Sequence, residues 1–499
     1  MALDIPLAID SSSGRGLADQ ICDQLVTMIR HGRLRSGDVL PPSRQLSKQL
    51  GVARNTVIAA YATLIEEGYL EALSRAGTRV ARQTVGQRTR DLPSTSHRAA
   101  ASRPPNVSEA AKRVRLNGPT LFDPMRSRLP LDFRIGLPDN RLFPSEAWGR
   151  CIRGRLSASG LGFTDYSDPA GVPELRSAIA HLVRLHRGVA CTSDQVIITS
   201  GVQQGLDLAC RLLLDPGDEV VVEDPVYTSA LEAMRAHGAT ITPCPIAADG
   251  IDTRALPPDG ARFAYVTPSH QFPLGNTMGL ATRLALLEWA RVTGTYLIED
   301  DYDSDFRYRG SPLSALASLD SDELVIYLGT FSKTLGAGLR MGYMVLPAPL
   351  ITAARNLKDL TDHGRSWLEQ VCLADFINLG HYEHHVRRAK TAYSARCQLL
   401  NAGLRAIVPG SEVMGTDGGM HLTWVLPPEM PIAAPLQRRL AQEGVVIYTL
   451  REGPSTHLVP SELTDRILLF GYPCLTEDKI TVALERVAEC TEQMCRGRH

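Results

Sequence analysis

The sequence contains no apolar run long enough to cross a bilayer, and Asp4 and Asp10 interrupt any apolar stretch near its first residue. We therefore expect neither a membrane span nor a secretory signal. None of the 10 cysteines belongs to a Cys-x-x-Cys pair, which predicts reduced thiols, a cytoplasmic location and no metal site. Charge of a single sign is also missing, because 53 Lys and Arg residues accompany 54 Asp and Glu residues. This balance excludes a uniformly basic nucleic-acid coat and leaves room for local basic patches.

The length of the chain predicts more than one domain. A single hydrophobic core rarely grows beyond about 250–300 residues, and this chain has 499. From the patterns described below we expect three segments. They are a small helical domain over residues 1–81, a basic flexible linker over 82–129, and a large α/β domain over 130–499.

The first eighty residues follow the pattern of a helix-turn-helix. Apolar residues recur at helical spacing between Leu17 and Ile29, and glycines separate them from a second helix with Ser43 as its expected N-cap. Gly51 and Val52 form a short turn into a third helix. In helix-turn-helix domains this later helix enters the major groove of DNA.

The expected DNA contacts lie at the start of the third helix and in a hairpin behind it. The helix opens with polar donors, and segments 68–71 and 77–80 are predicted to pair as a two-stranded wing. The residues expected to contact DNA are Ser43, Arg44, Arg54, Asn55, Thr56 and Arg75. A helical cap with arginines that are merely solvated is the competing interpretation.

Periodicity disappears between about Ala81 and Leu129. Arginines such as Arg88 and Arg103 outnumber the acidic residues, among Ser, Pro and Ala. This composition is typical of a flexible tether, and its basicity would attract the DNA backbone without reading bases. A tether whose charge only maintains solubility fits nearly as well.

Beyond Leu129, strand-like and helical segments alternate. The predicted strands are 196–199, 219–222, 263–266, 296–298 and 325–328, with helices over 203–214, 225–237 and 282–292. Alternation of this kind predicts an α/β fold with a mainly parallel sheet, and a site at the carboxyl ends of the strands.

Polar residues follow most of these strands. The segment 200–203 opens a helix whose free backbone N–H groups can hold a phosphate, and Tyr227 can stack on a flat ring. Asp300 and Tyr302 offer a carboxylate and a phenol. Taken alone, the acidic cluster at 299–301 is more often a solvated strand end or a metal site.

Lys333 lies in a turn of small residues directly after the last of these strands. A lysine whose pKa is lowered by its surroundings can form a Schiff base with an aldehyde cofactor. Thr330, Ser332 and Arg340 supply hydroxyl and guanidinium donors for a phosphate. A surface lysine after a buried strand explains this stretch equally well; the ordered series of polar strand ends favours the cofactor.

Both ends of the chain resemble known families. The motifs Leu40-Pro41-Pro42-Ser43-Arg44-Gln45-Leu46, Arg54-Asn55-Thr56-Val57 and Glu67-Gly68-Tyr69-Leu70 are similar to those of GntR-type winged helices. Residues 131–492 resemble fold-type I pyridoxal-phosphate enzymes, the aspartate-aminotransferase superfamily. Joined by a basic linker, the two resemble MocR-type regulators, a GntR subfamily. The resemblance implies a winged helix-turn-helix followed by an aminotransferase-like large and small domain, binding to double-stranded DNA and pyridoxal 5'-phosphate, and a head-to-tail homodimer.

The resemblance also implies roles for individual residues. Lys333 matches the Schiff-base lysine, Asp300 the partner of the pyridine nitrogen, Tyr302 the donor to the phenolic oxygen, and Tyr227 the stacking ring. The residues in phosphate-binding positions are Ser200, Gly201, Val202, Gln203, Thr330, Ser332 and Arg340. The family's asparagine beside the ring oxygen is replaced by Phe272, so His270 or Gln271 is expected to substitute for it.

Two arginines that hold substrate carboxylates in the family are missing here. Leu469 stands in one position, and Ser229 stands where 4-aminobutyrate-responsive members carry the other. Leucine cannot bind a carboxylate. Arg451 and Arg466 carry suitable charge, although the motif does not align them with the site.

Two functions therefore compete. The first is a transcription factor that senses pyridoxal phosphate itself and controls vitamin B6 metabolism genes. The second is a regulator that senses an amine or amino acid, such as taurine or 4-aminobutyrate, through the cofactor, or an active aminotransferase with a fused DNA-binding domain. The missing arginines favour the first, so we expect a sensor in place of an enzyme, with residual transaminase activity left open. The sequence does not identify the effector or the target promoter, and it does not indicate whether the protein activates or represses transcription.

Overall fold

The computed structural model describes residues 5–10, 14–73, 77–81, 107–114, 129–158, 162, 164–310, 314–459 and 462–496. The chain divides into two compact units, residues 1–106 and 107–499. The division falls inside the segment that the sequence predicts as a linker. Each unit is described separately.

The first unit combines three helices with a small antiparallel sheet. Its elements are α1 (Leu17–Arg30), β1 (Val39–Leu40), α2 (Ser43–Leu50), α3 (Arg54–Glu66), β2 (Leu70–Leu73) and β3 (Gly77–Val80). The strands pair in the order β1–β3–β2. The helix-turn-helix with a two-stranded wing is thus confirmed. β1 adds a third strand, whose two residues are too few to produce a sequence pattern.

The turn between α2 and α3 depends on Gly51. Its φ of 66° is in the left-handed region, where a residue with a β-carbon is strained. Beyond the turn, Val57 and Leu64 of α3 are buried in the core of this unit. The buried hydroxyl of Tyr61 donates to the carbonyl of Pro41 at 2.9 Å, which fastens α3 to the start of α2. Packing and this hydrogen bond together orient the start of α3.

The second unit contains eleven helices within the described residues. They are α4 (Glu109–Arg113), α5 (Ser145–Ala158), α6 (Pro173–Arg187), α7 (Val202–Leu213), α8 (Thr228–Ala236), α9 (Leu280–Thr293), α10 (Ile351–Asp362), α11 (Trp367–Asn378), α12 (His381–Ile407), α13 (Ala433–Gln442) and α14 (Glu477–Arg496). In the part of the chain that the structure describes, every helix is too short or too polar to span a lipid bilayer.

The strands of the second unit are mostly short. They are β4 (Leu131–Asp132), β5 (Val196–Thr199), β6 (Glu219–Asp224), β7 (Val226–Tyr227), β8 (Thr240–Ala247), β9 (Gly250–Ile251), β10 (Phe263–Val266), β11 (Tyr296–Asp301), β12 (Val325–Thr330), β13 (Gly342–Val345), β14 (Glu412–Met414), β15 (His421–Val425), β16 (Val445–Val446), β17 (Tyr448–Thr449), β18 (Ser455–Thr456) and β19 (Ile467–Gly471).

An eight-stranded sheet forms the centre of the second unit, in the order β5–β13–β12–β11–β10–β6–β8–β9. The pairings from β12 through β11, β10 and β6 to β8 are parallel, whereas β13 is antiparallel to both of its neighbours. The central strands are buried along their whole length, as in sheets covered by helices on both faces. The α/β fold and the five predicted strands are confirmed.

A smaller antiparallel sheet, in the order β14–β15–β19–β17, follows in the chain. Its core is separate from those around the large sheet and contains the fully buried Trp424 and Phe470. Leu400 of α12 and Val487 of α14 are buried in the same core. This layer is the small domain that the resemblance implies.

Two differences from the sequence predictions concern the acidic cluster and the linker. β11 extends to Asp301 and β12 to Thr330, so the acidic cluster lies within a strand and not beyond its end. Residues 109–113, which the sequence places in a flexible linker, form the short helix α4. There Arg113 donates to the carbonyl of Ala236 at 3.2 Å, so this part of the predicted linker is fastened to the second unit.

Candidate cofactor site and nucleic-acid interface

A cavity of about 200 Å³ lies at the carboxyl ends of the parallel strands. Because those strands end at the same edge of the sheet, residues far apart in sequence meet there. The predicted site residues that line the cavity are Gly201, Val202, Gln203, Tyr227, Asp300, Tyr302, Thr330, Ser332, Lys333 and Arg340. Ser200, His270 and Gln271 do not contribute to its wall.

Asp300 is the buried acid of the cavity, with 4% of its surface exposed. Its Oδ2 accepts a hydrogen bond from the hydroxyl of Tyr265 at 2.7 Å, whereas its Oδ1 is buried without a partner. Burial raises the pKa of Asp300 to about 7, against the opposing effects of Tyr265 and Lys333. A cationic N–H group in the cavity would satisfy Oδ1 and lower this pKa. A protonated pyridine nitrogen fits that requirement.

Lys333 faces the cavity from the turn after β12. Its Nζ donates to the carbonyl of Gly136 at 3.1 Å. Burial lowers the pKa of Lys333, although Asp303 and Asp300 oppose the shift. A lowered pKa increases the neutral amine that attacks an aldehyde. Gly136 leaves the necessary room, because a β-carbon there would lie 2.4 Å from Nζ.

The N-terminus of α7 forms the anion-binding end of the cavity. Gly201 precedes the helix with a φ of 82° and supplies no side-chain cap, so the first N–H groups of the helix lack intrahelical partners. The Nη2 atom of Arg340 donates to the carbonyl of Ser200 at 2.7 Å, which holds the guanidinium beside this turn. The hydroxyl-bearing residues Thr330 and Ser332 line the same cavity. Backbone donors, hydroxyls and a guanidinium together fit a phosphate.

Arg365 supports this end of the site and was not identified from the sequence. Its Nη1 donates to the hydroxyl of Ser200 at 2.8 Å, to the carbonyl of Thr199 at 3.2 Å, and to the carbonyl of Arg340. The Ser200 side chain is therefore engaged behind the turn, away from the predicted phosphate contact. Arg365 lies in the loop between α10 and α11, where no sequence pattern marks it.

The aromatic wall consists of Tyr227, Phe272 and Tyr302. The ring of Phe272 stands edge-on to Tyr227 at 5.7 Å and to Tyr302 at 5.9 Å between centroids. All three rings line the cavity. They form an apolar wall beside Asp300 against which a flat ring can pack.

Neither proposed substitute for the missing asparagine reaches the cavity. The amide of Gln271 donates to the carbonyls of Pro225 at 2.9 Å and Phe272 at 2.8 Å, and accepts from the N–H of Leu274 at 2.9 Å. It therefore shapes the loop. His270 lies outside the wall, with its Nδ1 3.0 Å from the hydroxyl of Tyr302. The backbone turn places both side chains outside the cavity wall, and a direct contact of either residue with the cofactor stays a prediction.

The position of the missing carboxylate arginine is apolar. Leu469 is fully buried on β19, in one cluster with Leu450, Ile135 and Leu274. Arg466 donates to the carbonyl of Pro427 at 2.9 Å, and Arg451 pairs with Asp465 at 2.6 Å. Both guanidinium groups are thus engaged away from the cavity wall.

One further guanidinium does line the cavity. Arg134 was not predicted as a site residue, and its Nε pairs with Asp132 Oδ2 at 2.8 Å. Asp132 also accepts from the hydroxyl of Tyr448, another wall residue, at 3.0 Å. Since Asp132 neutralises much of its charge, Arg134 differs from a free carboxylate-binding arginine.

In the first unit, the starts of α2 and α3 present the predicted DNA-contacting side chains. Arg44, Arg54 and Asn55 are exposed, whereas Ser43 and Thr56 are half-buried. Ser43 is not the N-cap of α2, because Pro42 takes that position. Its hydroxyl instead accepts from Arg54 Nε at 3.4 Å, which connects the two helices at this surface. Arg75 lies outside the described residues.

Comparisons with known proteins agree with both units. The family model "Bacterial regulatory proteins, gntR family" matches residues 17–80, and "Aminotransferase class I and II" matches residues 137–487. The archaeal alanine:glyoxylate aminotransferase superposes with a TM-score of 0.69 at 24% identity, over 78% of this chain and 98% of that one. The α-aminoadipate aminotransferase LysN from Thermus thermophilus gives 0.68 at 26% identity, with the same coverage.

The fold and the site thus define a DNA-binding regulator built on the fold of pyridoxal-phosphate-dependent aminotransferases. Its relatives include the probable rhizopine catabolism regulatory protein MocR of Rhizobium meliloti, 35% identical over 83% of both chains. The transcriptional regulator TauR of Rhodobacter capsulatus is 33% identical over 90% of this chain and 92% of its own. The pyridoxine biosynthesis regulator PdxR of Corynebacterium glutamicum is 28% identical over 98% and 99%. The chain belongs to the MocR-type regulators of the GntR family.

The unpaired Oδ1 of Asp300 predicts a pH-dependent gain in stability for Asp300→Asn in the cofactor-free protein. The folded-state pKa of about 7 exceeds the unfolded value of about 3.9, so the wild type loses stability as pH rises between these values. Asparagine carries no charge and escapes this loss. We expect Asp300→Asn to be more stable by about 1–3 kcal/mol at pH 8, with the gain shrinking toward pH 4.

Urea unfolding of the cofactor-free protein at pH 5 and pH 8 measures this difference. The exposed Glu429→Gln variant serves as the control and should change little at either pH. An Asp300→Asn gain that is larger at pH 5 than at pH 8 would contradict the assignment.

The apolar surroundings of Leu469 predict that the family arginine cannot simply be restored. Leu469→Arg would bury a guanidinium without a partner among Ile135, Leu274 and Leu450. We expect a loss of more than about 3 kcal/mol in the free energy of unfolding, against less than about 1.5 kcal/mol for Leu469→Met. Urea unfolding of both variants tests this. A stable Leu469→Arg protein would show that the pocket accommodates a charged side chain.

Proposed function

We propose that this chain is a pyridoxal 5'-phosphate-dependent transcriptional regulator that senses the cofactor itself and controls genes of vitamin B6 metabolism. The observation that carries the proposal is a cradle suited to the cofactor beside an apolar Leu469 where aminotransferases hold the substrate carboxylate. The name of the relative PdxR, a pyridoxine biosynthesis transcriptional regulator, agrees with the proposed target genes.

The cofactor's parts fit different parts of the cavity. Lys333 would bind its aldehyde carbon, and Asp300 its protonated ring nitrogen. The start of α7 and Arg340 would hold its phosphate, while Tyr227 would pack against the ring. When bound, the cofactor supplies an electron-withdrawing ring that can be linked covalently to a lysine.

The regulatory logic follows from linkage. A ligand shifts a conformational equilibrium only if it binds the two states with different affinity. A cofactor held by a covalent bond, a phosphate cradle and a ring contact can provide that difference without a second ligand. We propose that the chain acts as a head-to-tail homodimer. In each subunit the proposed segments are the winged helix over 1–81, the linker over 82–129 and the cofactor-binding domain over 130–499. Cofactor binding would then change how the two winged helices of the dimer engage a two-part operator.

An amine or amino-acid effector is the second candidate. Arg134 favours it, because a guanidinium lines the cavity even though its Nε pairs with Asp132. The name of the relative MocR, a probable rhizopine catabolism regulatory protein, connects that relative with the breakdown of a small organic compound. The charge balance at Arg134 makes this candidate weaker than the first.

The cofactor proposal predicts that purified protein absorbs in the near-ultraviolet and blue, and that Lys333→Ala abolishes the band. Adding pyridoxal phosphate to cofactor-free protein should change operator affinity or footprint, and Lys333→Ala should blunt that response. The exposed lysine variant Lys479→Ala should behave as wild type. Common amino acids, 4-aminobutyrate included, should alter the band slowly or not at all.

Two outcomes would contradict this proposal. A Lys333→Ala band that survives borohydride reduction and denaturation would show that another lysine binds the cofactor. Rapid conversion of the cofactor to its amine form with release of a keto acid, at about 1–10³ per second, would make the chain an enzyme.

The DNA-binding surface predicts that Arg54→Ala weakens binding to the operator. A bidentate base contact is worth about 1–3 kcal/mol of discrimination, so specific affinity should fall more than affinity for unrelated DNA. Arg88→Ala, in the linker, should weaken all DNA alike and reduce the salt dependence. Arg15→Ala, whose side chain pairs with Asp23 at 3.1 Å, is the control. Fluorescence anisotropy at two salt concentrations measures these changes; unchanged operator affinity for Arg54→Ala would exclude the recognition-helix assignment.

A further inference from the structure

A buried histidine and a buried aspartate lie directly behind the cavity wall. His270 and Asp303 are 5% and 2% exposed, and neither lines the cavity. The Nδ1 atom of His270 lies 3.1 Å from Asp303 Oδ2 and 3.0 Å from the hydroxyl of Tyr302. Tyr302 does line the cavity. The three side chains therefore form a chain of contacts that ends at the cavity.

The position of one proton follows from this geometry. An ionised carboxylate can only accept a hydrogen bond, so Asp303 requires the proton to be on Nδ1 of His270. This holds whether the imidazole is neutral or cationic. Because Nδ1 carries a proton, it cannot accept the hydroxyl proton of Tyr302. The Tyr302 hydroxyl can accept from Nδ1 and must direct its own proton elsewhere.

The neighbouring groups keep that proton on Tyr302. Burial raises the pKa of Tyr302 well above its usual value, and the carboxylates of Asp303, Asp300, Glu223 and Asp301 raise it further. His421, whose ring centroid lies 4.9 Å from that of His270, places its Nε2 2.8 Å from the carbonyl of Pro273. Burial lowers the pKa of His421 to about 3, so this second imidazole is neutral.

We propose that Asp303 and His270 are positioning residues, which turn the hydroxyl proton of Tyr302 into the cavity toward the ring oxygen of the cofactor. The family's asparagine donor at this place is replaced by Phe272, which has no donor. Here His270 acts through Tyr302, without direct contact with the cofactor. The inference rests on the proposed cofactor binding.

A metal ion is the competing explanation for these buried groups. His270, Asp303 and His421 each have a ligand atom within 4.8 Å of the others. However, Nδ1 of His270 and Nε2 of His421 already have partners, which leaves Nε2 of His270 as the buried ring nitrogen without one. The cavity of about 20 Å³ that His270 also lines contains Arg187 and Arg307 beside Asp303 and Asp417, so its side-chain charges balance and give a cation no net attraction. Metal analysis of the purified protein distinguishes the two explanations.

The test compares the pH midpoint of the cofactor's colour change in the loaded protein. A donor to the ring oxygen stabilises the more negative form of the cofactor and holds the midpoint low. Tyr302→Phe should raise the midpoint by about one to two pH units, the size expected for losing a hydrogen bond to a charged group. Thr277→Ala, which lines the smaller cavity outside the chain of contacts, should leave it unchanged.

Asp303→Asn separates positioning from simple electrostatics. Asparagine carries no charge and holds the Nδ1 proton more weakly than a carboxylate, so the imidazole can take its other tautomer, in which Nδ1 accepts the Tyr302 proton and draws it away from the cavity. The midpoint should then rise, in the direction of Tyr302→Phe. If the substitution removed only the charge of Asp303 and left the Tyr302 hydroxyl in its orientation, the midpoint would fall, because this carboxylate favours the cationic form of Lys333. The double variant should shift no further than Tyr302→Phe alone.

His270→Asn keeps an amide donor near the place of Nδ1 and should remain close to wild type. If Asp303→Asn does not fold, ¹⁵N spectra of histidine-labelled wild type show which ring nitrogen of His270 carries the proton. The spectrum of His270→Asn identifies the signals of His270. A proton on Nδ1 of His270 supports the proposal, and the opposite tautomer overturns it. An Asp303→Asn midpoint at or below that of wild type, additive shifts, or stoichiometric bound metal would also overturn it. Loss of the coloured band from wild type would instead overturn the proposed cofactor binding.

Discussion

The buried carboxylate of Asp300 places a specific requirement on the second unit. A carboxylate away from water needs hydrogen-bond partners or a counter-ion, and the fold provides one partner, the hydroxyl of Tyr265. The other oxygen, Oδ1, lies at the wall of a cavity without a partner. The raised pKa of Asp300 expresses the same imbalance. The sheet therefore holds an acid with room for a cationic donor from a ligand, and the remaining wall residues surround the same cavity.

This requirement also suits a sensor. Since the ligand-free protein carries an unsatisfied acid, a cationic ring changes the energy of the buried sheet edge when it binds. The lowered pKa of Lys333 acts in the same direction, because the amine becomes more available to an aldehyde. A cavity whose acid and lysine are both shifted by burial suits a ligand that carries both a cationic N–H group and an aldehyde. Such selectivity is what couples ligand concentration to a conformational equilibrium.

The sequence predicts the fold and most of the cavity-facing residues, but it does not predict the residues that support them from distant loops. The sequence identifies Lys333, Asp300 and Tyr227 as site residues because each follows a predicted strand. Parallel strands bring their carboxyl ends together, so these residues are expected to meet. The helix-turn-helix was equally clear from helical spacing and Gly51. Arg365 was not identified from the sequence, because it contacts Ser200 across 165 residues and lies in a loop that carries no motif. Periodicity reports which face of an element is buried and contains no information on such long-range partners.

His270 and Gln271 show the same limit at smaller scale. Both residues directly precede Phe272, which stands in the position of the missing asparagine. Adjacent residues in a turn nevertheless point in different directions. Gln271 turns into the backbone of its own loop, whereas His270 turns toward Tyr302 and Asp303. Only the backbone path, which depends on the packing of the whole unit, decides between these orientations. Ser43 is a similar case, since its distance of one residue from the cap position changes its partner from a backbone N–H to Arg54.

The apolar cluster around Leu469 favours the proposed sensing role over catalysis on this fold. Catalysis requires the reacting group of a second substrate to be held in one orientation, which aminotransferases achieve with a guanidinium fork. Here Ile135, Leu274 and Leu450 fill the corresponding space, and the guanidinium of Arg134 is paired with Asp132. Contacts to the cofactor alone bind the ground state and do nothing to stabilise a later transition state. The features that remain favour tight binding of one ligand, and tight binding with unequal affinity for two states is sufficient for a switch.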